Sequence, residues 1–356
     1  MTALRSATAR LTFDPTVGNI PELVFSWGGV EIAPLHRAAW TDEKDALAAE
    51  HVPPVDRKLA GDFVCAPFGT SDVEPSPSHG WTANSPWTIT SSEPSKLIAK
   101  LDRSVMEAAV SKELGLSDDA PILYQRHTLT GGSGGLTFAH HPMIDVSGGA
   151  RLCCSAKRLV MTNSFAIVPD HNLLALAAQS KSISDVPGAN GESIDITQLP
   201  IANDTEDFAV LIEGVGNRLG WTAVLRQREQ DIIFVLKDPA QLPLTMLWHS
   251  NGARTDFPWN GRNRGVLGIE DGRAAGALGH AAALAGNPFA DLGIPTVFEL
   301  REGRSHTINH VIGVLPNSEG WSSVEDISVR EERLDVIGDG GKAVSLPFDS
   351  GFFSMS

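Results

Sequence analysis

The sequence predicts an all-β protein, a large antiparallel β-sandwich with few short helices. Short β-prone runs recur along all 356 residues, and turn-forming Gly, Pro, Asn or Asp separates them. Segments with helical signals are scarce, so the chain lacks the alternating strand and helix pattern of a parallel sheet. Because no internal repeat and no linker-like segment divides the sequence, we expect residues 1–356 to form one domain.

The predicted strands are rich in β-branched, aromatic and aliphatic residues. In chain order they are residues 9–13, 22–27, 87–90, 96–101, 122–129, 208–213, 220–226, 231–237, 244–249, 296–301, 307–314 and 333–337.

Two segments carry helix signals. Residues 41–50 begin with a threonine followed by acidic residues and alanines, and residues 274–285 are rich in alanine. The stretch 131–135, Gly-Gly-Ser-Gly-Gly, lies between β-prone runs and predicts a hairpin connection. Residues 53–77 and 184–204 are predicted to be long ordered loops, which often have functional roles.

The charge of the chain bears on its partners. With 28 Lys and Arg against 43 Asp and Glu, the formal net charge is -15. Such a surface repels phosphate backbones and anionic lipid, which argues against nucleic-acid and membrane partners. A neutral or polar small molecule is the favoured partner, and the sequence leaves the oligomeric state open.

Cysteine usage and hydropathy bear on the compartment. The cysteines are Cys65, Cys153 and Cys154, and adjacent strand residues point to opposite faces, so no disulfide framework is predicted. No apolar run reaches the roughly 18 residues of a membrane span, and the first residues lack a secretory signal pattern. We therefore expect a cytoplasmic protein.

The most informative segment is residues 265–272, Gly-Val-Leu-Gly-Ile-Glu-Asp-Gly, in which an apolar run ends on Glu270. A carboxylate partly desolvated by such neighbours would be a competent base near neutral pH. The alternative is a solvated turn carboxylate, since Asp271 and Gly272 follow directly.

Histidines at two other strand or turn borders complete a candidate set for proton transfer. His79 precedes Trp81, and His140 and His141 are adjacent in the sequence. Neighbouring residues of an extended chain diverge, so only one of the adjacent pair can reach a given site. Each histidine has the alternative of an exposed residue or one satisfied in the core.

Further residues could contact a small polar ligand such as a sugar. Aromatic candidates for stacking on its apolar face are Trp81, Trp248 and Trp259, although tryptophans more often pack in cores. Asn84 and Asp256 could meet hydroxyl groups, and Arg262 could bind an anion, with an exposed arginine as the alternative.

Two other chemistries are disfavoured. The stretch 131–135 formally satisfies the Gly-x-Ser-x-Gly pattern of serine hydrolases, but it precedes a strand-like segment rather than the helix that this motif requires. No His-x-His, His-Glu-x-x-His or Cys-x-x-Cys spacing is present, so no metal site is predicted.

The order of four short segments resembles the galactose mutarotase-like (aldose 1-epimerase) superfamily. The segments contain a Pro-Phe-Gly turn, a His-Gly followed by an aromatic residue, a later His followed by Pro, and a late Glu after an apolar run. They are residues 61–69, 78–87, 139–143 and 265–272. The resemblance implies a large antiparallel β-sandwich that binds a sugar in a cleft on one concave face.

The resemblance also implies a reaction and its residues. In that family a carboxylate takes the proton of the anomeric hydroxyl, a histidine protonates the ring oxygen, and the opened aldehyde recloses on either face. Carried over to this chain, Glu270 is the base, His141 the acid and His79 a second histidine at the sugar oxygens. No cofactor is required, and the partner is a small-molecule carbohydrate.

Departures from the family pattern narrow the expected substrate. The branch that acts on hexose 6-phosphates has His-Gly-Phe-Ala-Arg where this chain has residues 79–83, His-Gly-Trp-Thr-Ala, so we expect a free aldose. Two alternatives remain open: a carbohydrate-binding protein without turnover, and another sugar isomerase or lyase that uses the same cleft.

Overall fold

The computed structural model describes residues 1–353, which form mostly antiparallel strands. The strands are β1 (Thr2–Arg5), β2 (Ala9–Asp14), β3 (Asn19–Trp27), β4 (Val30–Ile32), β5 (Val64–Cys65), β6 (Trp87–Ser92), β7 (Lys96–Leu101), β8 (Ala108–Leu116), β9 (Ile122–Gly131), β10 (Gly134–Leu136), β11 (Phe138–His140), β12 (Met143–Asp145), β13 (Ala150–Cys154), β14 (Lys157–Thr162), β15 (Gln179–Ser180), β16 (Val186–Pro187), β17 (Ser193–Ile194), β18 (Gln198–Leu199), β19 (Thr205–Glu213), β20 (Gly220–Arg226), β21 (Asp231–Lys237), β22 (Leu244–Asn251), β23 (Val266–Arg273), β24 (Phe298–Leu300), β25 (Ser305–Pro316), β26 (Val324–Arg330), β27 (Arg333–Gly338) and β28 (Ala343–Pro347).

The helices are short. The α-helices are α1 (Lys44–Ala48), α2 (Pro54–Arg57), α3 (His280–Leu284) and α4 (Pro288–Asp291), and single 3-10 turns lie at Trp81–Ala83, Gly276–Leu278, Asp339–Gly341 and Ser350–Phe353. Within residues 1–353 no helix has the length and apolar character needed to cross a bilayer.

Two large sheets form the sandwich. The first sheet has the order β15-β14-β19-β22-β23-β11-β5, with β12 also paired to β23. The second sheet has the order β18-β13-β20-β21-β25-β9-β8-β7-β6. Apolar side chains from the inner faces of both sheets form one continuous core, in which Leu247 and Ile269 of the first sheet join Ile233 and Ile312 of the second. The predicted all-β sandwich is confirmed.

The outer faces of both sheets are also covered. A second apolar cluster, which includes Phe208, Met246 and Trp248, lies between the outer face of the first sheet and the loops and helices that cross it. On the other side, the three-stranded sheet β26-β27-β28 packs against the outer face of the second sheet. The first sheet therefore presents its outer face to loop segments, the arrangement that leaves room for a cleft.

Each predicted run coincides with or overlaps a strand, but several strands were not predicted, and β8 is the longest of these in residues 1–353. Its sequence includes Lys112, which a pattern reading takes as exposed. The lysine is 1% exposed, and its ammonium donates to the carbonyl of Gly18 between the rings of Phe13 and Trp87. A buried charge thus hid an interior strand of the second sheet from the hydrophobic pattern.

The hairpin predicted at residues 131–135 is wrong. Strand β10 pairs with β24 and not with β9, so the glycine-rich stretch leads the chain out of the second sheet. Gly131, Gly132 and Gly134 have φ of 72°, 85° and 80°, values that favour glycine. The predicted helix at 274–285 is likewise interrupted, because Gly279 with φ of 96° separates a 3-10 turn from α3.

Candidate active site

The position of Glu270 follows from strand alternation in β23. Val266, Gly268, Glu270 and Gly272 share the outer face of the first sheet, whereas Asp271 points into the sandwich. A methyl group at Gly268 would lie 3.1 Å from Oε1 of Glu270 and 3.1 Å from the Trp248 ring. The glycine therefore provides the space in which the carboxylate and the indole lie side by side.

His141 lies directly across from Glu270. Strands β11 and β12 both pair with β23 in the same register, which joins Ala139 to Gly272 and Met143 to Gly268. That register brings His141 to the level of Glu270, and the backbone N–H of His141 donates to Phe63 at 2.9 Å. The strand pairing within the first sheet thus brings the Glu270 carboxylate and the His141 imidazole together.

The two side chains form a buried pair with unused bonding capacity. Nε2 of His141 is 3.0 Å from Oε1 of Glu270, and the side chains are 4% and 3% exposed. Oε2 of Glu270 and Nδ1 of His141 have no hydrogen-bond partner among the described residues. The Phe63 ring stacks on His141 at 4.4 Å between centroids and fixes the plane of the imidazole.

His79 approaches the same pair from another segment. Its ring lies edge-on to His141, with centroids 5.4 Å apart, and its Nδ1 is 3.3 Å from Sγ of Cys65. Burial, with smaller contributions from the charges of His141 and Arg254, lowers the pKa of His79 to about 3. His79 is therefore neutral near neutral pH, and its backbone is held at a φ of 67°, an unusual value for a non-glycine residue.

These three side chains border a cavity of about 270 Å³ on the outer face of the first sheet. Trp248 and Trp259 line it, with ring centroids 6.2 Å apart and nearly perpendicular planes. The indole N–H of Trp248 donates to Oε1 of Glu206 at 2.7 Å. A more open groove of about 910 Å³ lies beside β8 and β9, but no histidine lines it.

Two charged residues of the cavity were not predicted from the sequence. Arg254 lies 4.4 Å above the Trp259 ring, and its Nε donates to Glu206 at 2.8 Å. Asp56 belongs to α2, and burial raises the pKa of its carboxyl to about 6. Asp56 falls in the predicted long loop 53–77, which was the one available signal for it, and Arg254 had none.

Four predicted sugar-binding residues lie outside the cavity lining. Trp81 packs beneath the guanidinium of Arg103 at 4.1 Å, and Asp256 is exposed. Asn84 bonds to the backbone of Val55, Ser78 and Gly80 at 3.0, 2.8 and 2.7 Å. The guanidinium of Arg262 pairs with Glu43. The polar groups of Asn84 and Arg262 are thus engaged in holding loops, so we assign neither residue to the site.

The inner face of β23, opposite Glu270, carries a second cluster that combines a carboxylate with histidines. Asp271 is 2.8 Å from Nζ of Lys237, 2.7 Å from Oγ1 of Thr245 and 3.1 Å from Nε2 of His310. His140 stacks on His310 with centroids 4.0 Å apart. Within residues 1–353 no three or more His, Cys, Asp or Glu side chains are grouped so as to hold a metal ion.

Comparison with known proteins identifies the fold. No protein-family model matches the chain, and no curated protein matches it in sequence. A protein of Escherichia coli K12 whose assignment as an aldose 1-epimerase is provisional has 15% identity and a TM-score of 0.59, over 88% of this chain and 98% of that one. A galactose mutarotase-like protein from Lactobacillus casei has 13% identity and a TM-score of 0.51, over 88% and 100%.

A galactose mutarotase related enzyme from Lactobacillus acidophilus has 9% identity and a TM-score of 0.53, over 89% of this chain and 98% of that one. At these identities the comparisons show the fold. The chain has the galactose mutarotase-like fold, which confirms the resemblance found in the sequence.

Proposed function

We propose that this protein is an aldose 1-epimerase-like mutarotase that interconverts the anomers of a free aldose. The observation that carries the proposal is the pair of Glu270 and His141 at the edge of a sugar-sized cavity. Oε1 of Glu270 is 3.0 Å from Nε2 of His141, and each side chain has one polar atom with no hydrogen-bond partner among the described residues. Ring opening needs a base and an acid at two oxygens that are bonded to the same carbon. A directly adjacent carboxylate and imidazole meet that requirement.

In the proposed reaction, Glu270 takes the proton of the anomeric hydroxyl. The electron pair of that O–H bond forms the C1 carbonyl, the bond from C1 to the ring oxygen breaks, and His141 gives its proton to the ring oxygen. Rotation about the bond between C1 and C2 presents the other face of the aldehyde. Reclosure reverses both proton transfers, so no cofactor or metal is needed.

Other cavity residues would hold the sugar. The Trp248 and Trp259 rings are suited to its apolar C–H face, and Arg254 and Asp56 can donate to and accept from its hydroxyls. His79 would contact an oxygen near the anomeric carbon, because its ring adjoins His141.

We also propose that neutral sugars are preferred to their phosphates. The lining carries the carboxylates of Glu270 and Asp56, and Nε of its guanidinium, Arg254, is already bonded to Glu206. Arg262 and Arg264 are not among the residues that line the cavity, and they pair with Glu43 and Asp204 at the surface. A phosphate dianion would lose its hydration here and would lie near two carboxylates, with an arginine that is already paired with Glu206 as its cationic partner in the lining.

Polarimetry of freshly dissolved single anomers tests the proposal. The approach of α-glucose, α-galactose or α-xylose to equilibrium rotation should accelerate in proportion to protein concentration, with kcat/KM higher for glucose than for glucose 6-phosphate. Saturable binding of an aldose without acceleration would instead make the protein a carbohydrate-binding protein. Formation of a new sugar or an unsaturated product would indicate an isomerase or lyase.

The proposed setting is the cytoplasm. Cys65, Cys153 and Cys154 are all unpaired, which suits a reducing compartment. Free aldoses would then reach the cleft as metabolites.

A further inference from the structure

The contact between Cys65 and His79 lies behind the cavity wall and is not explained by the proposed proton transfers. Sγ of Cys65 is 3.3 Å from Nδ1 of His79, and Cys65 is 0% exposed. Among the described residues this is the one hydrogen bond of the thiol, and Nε2 of His79 bonds to no protein group. One ring nitrogen therefore faces the thiol, and the other is left for the cavity.

The backbone holds this contact in place. Cys65 belongs to β5, which pairs with β11, and the next residue, Ala66, forms a bridge with Gly80. A Cβ at position 80 would lie 2.0 Å from the carbonyl oxygen of Ala66, so only glycine permits so close an approach. The segments on either side of the contact are thus clamped together, and the distance from thiol to imidazole is set by the fold.

The surrounding groups limit where protons can be. Burial, with the negative charges of Glu270 and Asp62, raises the pKa of the Cys65 thiol well above its ordinary value, so the sulfur keeps its hydrogen. His79 is neutral, and a neutral imidazole has one N–H and one bare nitrogen. A thiol is a weak donor and sulfur a weak acceptor, so the hydrogen bond between Cys65 and His79 can run in either direction. In one the thiol donates to Nδ1, and in the other Nδ1–H donates to sulfur.

We propose that Cys65 is a positioning residue that fixes the tautomer of His79: the thiol donates to Nδ1, so that Nε2–H is presented to the cavity as a hydrogen-bond donor. The first direction is favoured because Glu270 already supplies the base of the site, whereas a sugar oxygen needs a donor. The sugar contact rests on the proposed function, but the tautomer does not. His79 would then bind a sugar oxygen as a neutral donor and would leave both proton transfers to Glu270 and His141.

Nitrogen-15 NMR of histidine-labelled protein without sugar tests the tautomer directly. The His79 signals are identified by their loss in His79→Gln. We expect a protonated Nε2 and a bare Nδ1 in the wild type and in Cys65→Ser, which retains a donor. Cys65→Ala should give a mixture of both tautomers, and Cys154→Ala, which removes a thiol on β13, should match the wild type. A wild-type Nδ1–H tautomer, or an unchanged tautomer in Cys65→Ala, would overturn the proposal.

Activity gives a second readout. Loss of one positioning hydrogen bond should lower kcat/KM for anomer exchange by about 3–10-fold in Cys65→Ala, with recovery in Cys65→Ser. Equal activity of Cys65→Ala and Cys65→Ser, with the tautomer altered only in the former, would contradict the sugar contact. Absence of exchange activity in the wild type would contradict the proposed function and leave the NMR result standing.

Discussion

Glu270 and Asp271 are consecutive residues of β23, and each contacts a histidine, but on opposite faces of the first sheet. Glu270 meets His141 beside the cavity, and Asp271 meets His310 inside the sandwich. Both carboxylates are almost fully buried, at 2% and 1% exposure. Residue type and burial therefore do not distinguish the two pairs.

The other hydrogen-bond and ion-pair partners of Glu270 and Asp271 do distinguish the two pairs. Asp271 also bonds to Lys237 and Thr245. The interactions with Lys237 and His310 outweigh the cost of burial and lower the pKa of Asp271 far below the ordinary range of a carboxyl. It stays ionised and its oxygens are occupied. Within residues 1–353, Glu270 has one oxygen without a hydrogen-bond partner, and no lysine or arginine forms an ion pair with it. The pair proposed to be catalytic therefore differs from the core pair in its unused hydrogen-bonding capacity next to a cavity, and not in its residue types.

The sharpest test of this difference exchanges one carboxylate at a time for its amide. Glu270→Gln keeps the shape of the side chain and removes its basicity, so kcat for anomer exchange should fall by about 10²–10⁴-fold with little change in the free energy of unfolding. Polarimetry and urea unfolding provide the two measurements. If Glu270→Gln turned over at the wild-type rate, Glu270 would not be the general base.

Asp271→Asn is the matched variant on the other face. It leaves Lys237 inside the sandwich with Glu213, 3.2 Å away, as its remaining carboxylate partner. The free energy of unfolding should fall by about 3 kcal/mol, because one partner of a buried ion pair is lost. Turnover of the folded fraction should stay within about tenfold of wild type, far above that of Glu270→Gln.

The adjacent histidines extend the comparison to the facing strand. His141→Asn should lower kcat by about 10²-fold or more, since it removes the proposed acid. His140 packs between His310 and His127 in the core, so His140→Asn should reduce stability and leave the turnover of folded protein within a few-fold of wild type. The reverse pattern in the same polarimetric assay would mean that the wrong histidine was assigned.

The pH dependence of the unfolding free energy should report on His140, which lies in the core. Burial holds the pKa of His140 well below its ordinary 6.5, so the folded state stays neutral as pH falls while the unfolded state takes up a proton. Stability is therefore lost below pH 6.5, by up to about 1.4 kcal/mol per pH unit for this one histidine. His140→Asn should reduce the pH slope of the unfolding free energy by about one proton between pH 6.5 and 5.

The smallest expected effect is that of chelation. Proton transfer between Glu270, a sugar and His141 needs no metal, so prolonged EDTA treatment followed by desalting should leave kcat unchanged. Loss of activity with recovery on adding a divalent ion would place a different reaction in the cleft.

Much of this architecture was available from the sequence because apolar runs and turn residues mark strands directly. Residues 220–226 and 231–237 were predicted with the bounds that the structure shows. Strand β8 was missed because Lys112 is buried through contacts with distant residues, which no local pattern contains. The hairpin at 131–135 failed because glycine flexibility permits a turn without specifying its pairing partner.

The residues of the candidate site also fall into two groups, those that the sequence could indicate and those that only tertiary packing brings to the cavity. Glu270, His141 and His79 could be selected because strand alternation and segment order are properties of the chain. Asp56 reaches the cavity from α2 and Arg254 from the loop after β22, and their proximity depends on tertiary packing. Asn84 was expected to meet a sugar, but a loop amide satisfies backbone groups equally well, and the structure places it there.

The most direct test of the central claim, that Glu270 and His141 act as one proton-transfer unit, is anomer saturation-transfer NMR on the wild type, Glu270→Gln, His141→Asn and the double variant. Residues that act as a unit give non-additive losses. We expect transfer between α and β signals with wild type, and a double variant about as slow as the slower single variant. Multiplied losses in the double variant, or no transfer with the wild type for any aldose, would contradict the claim.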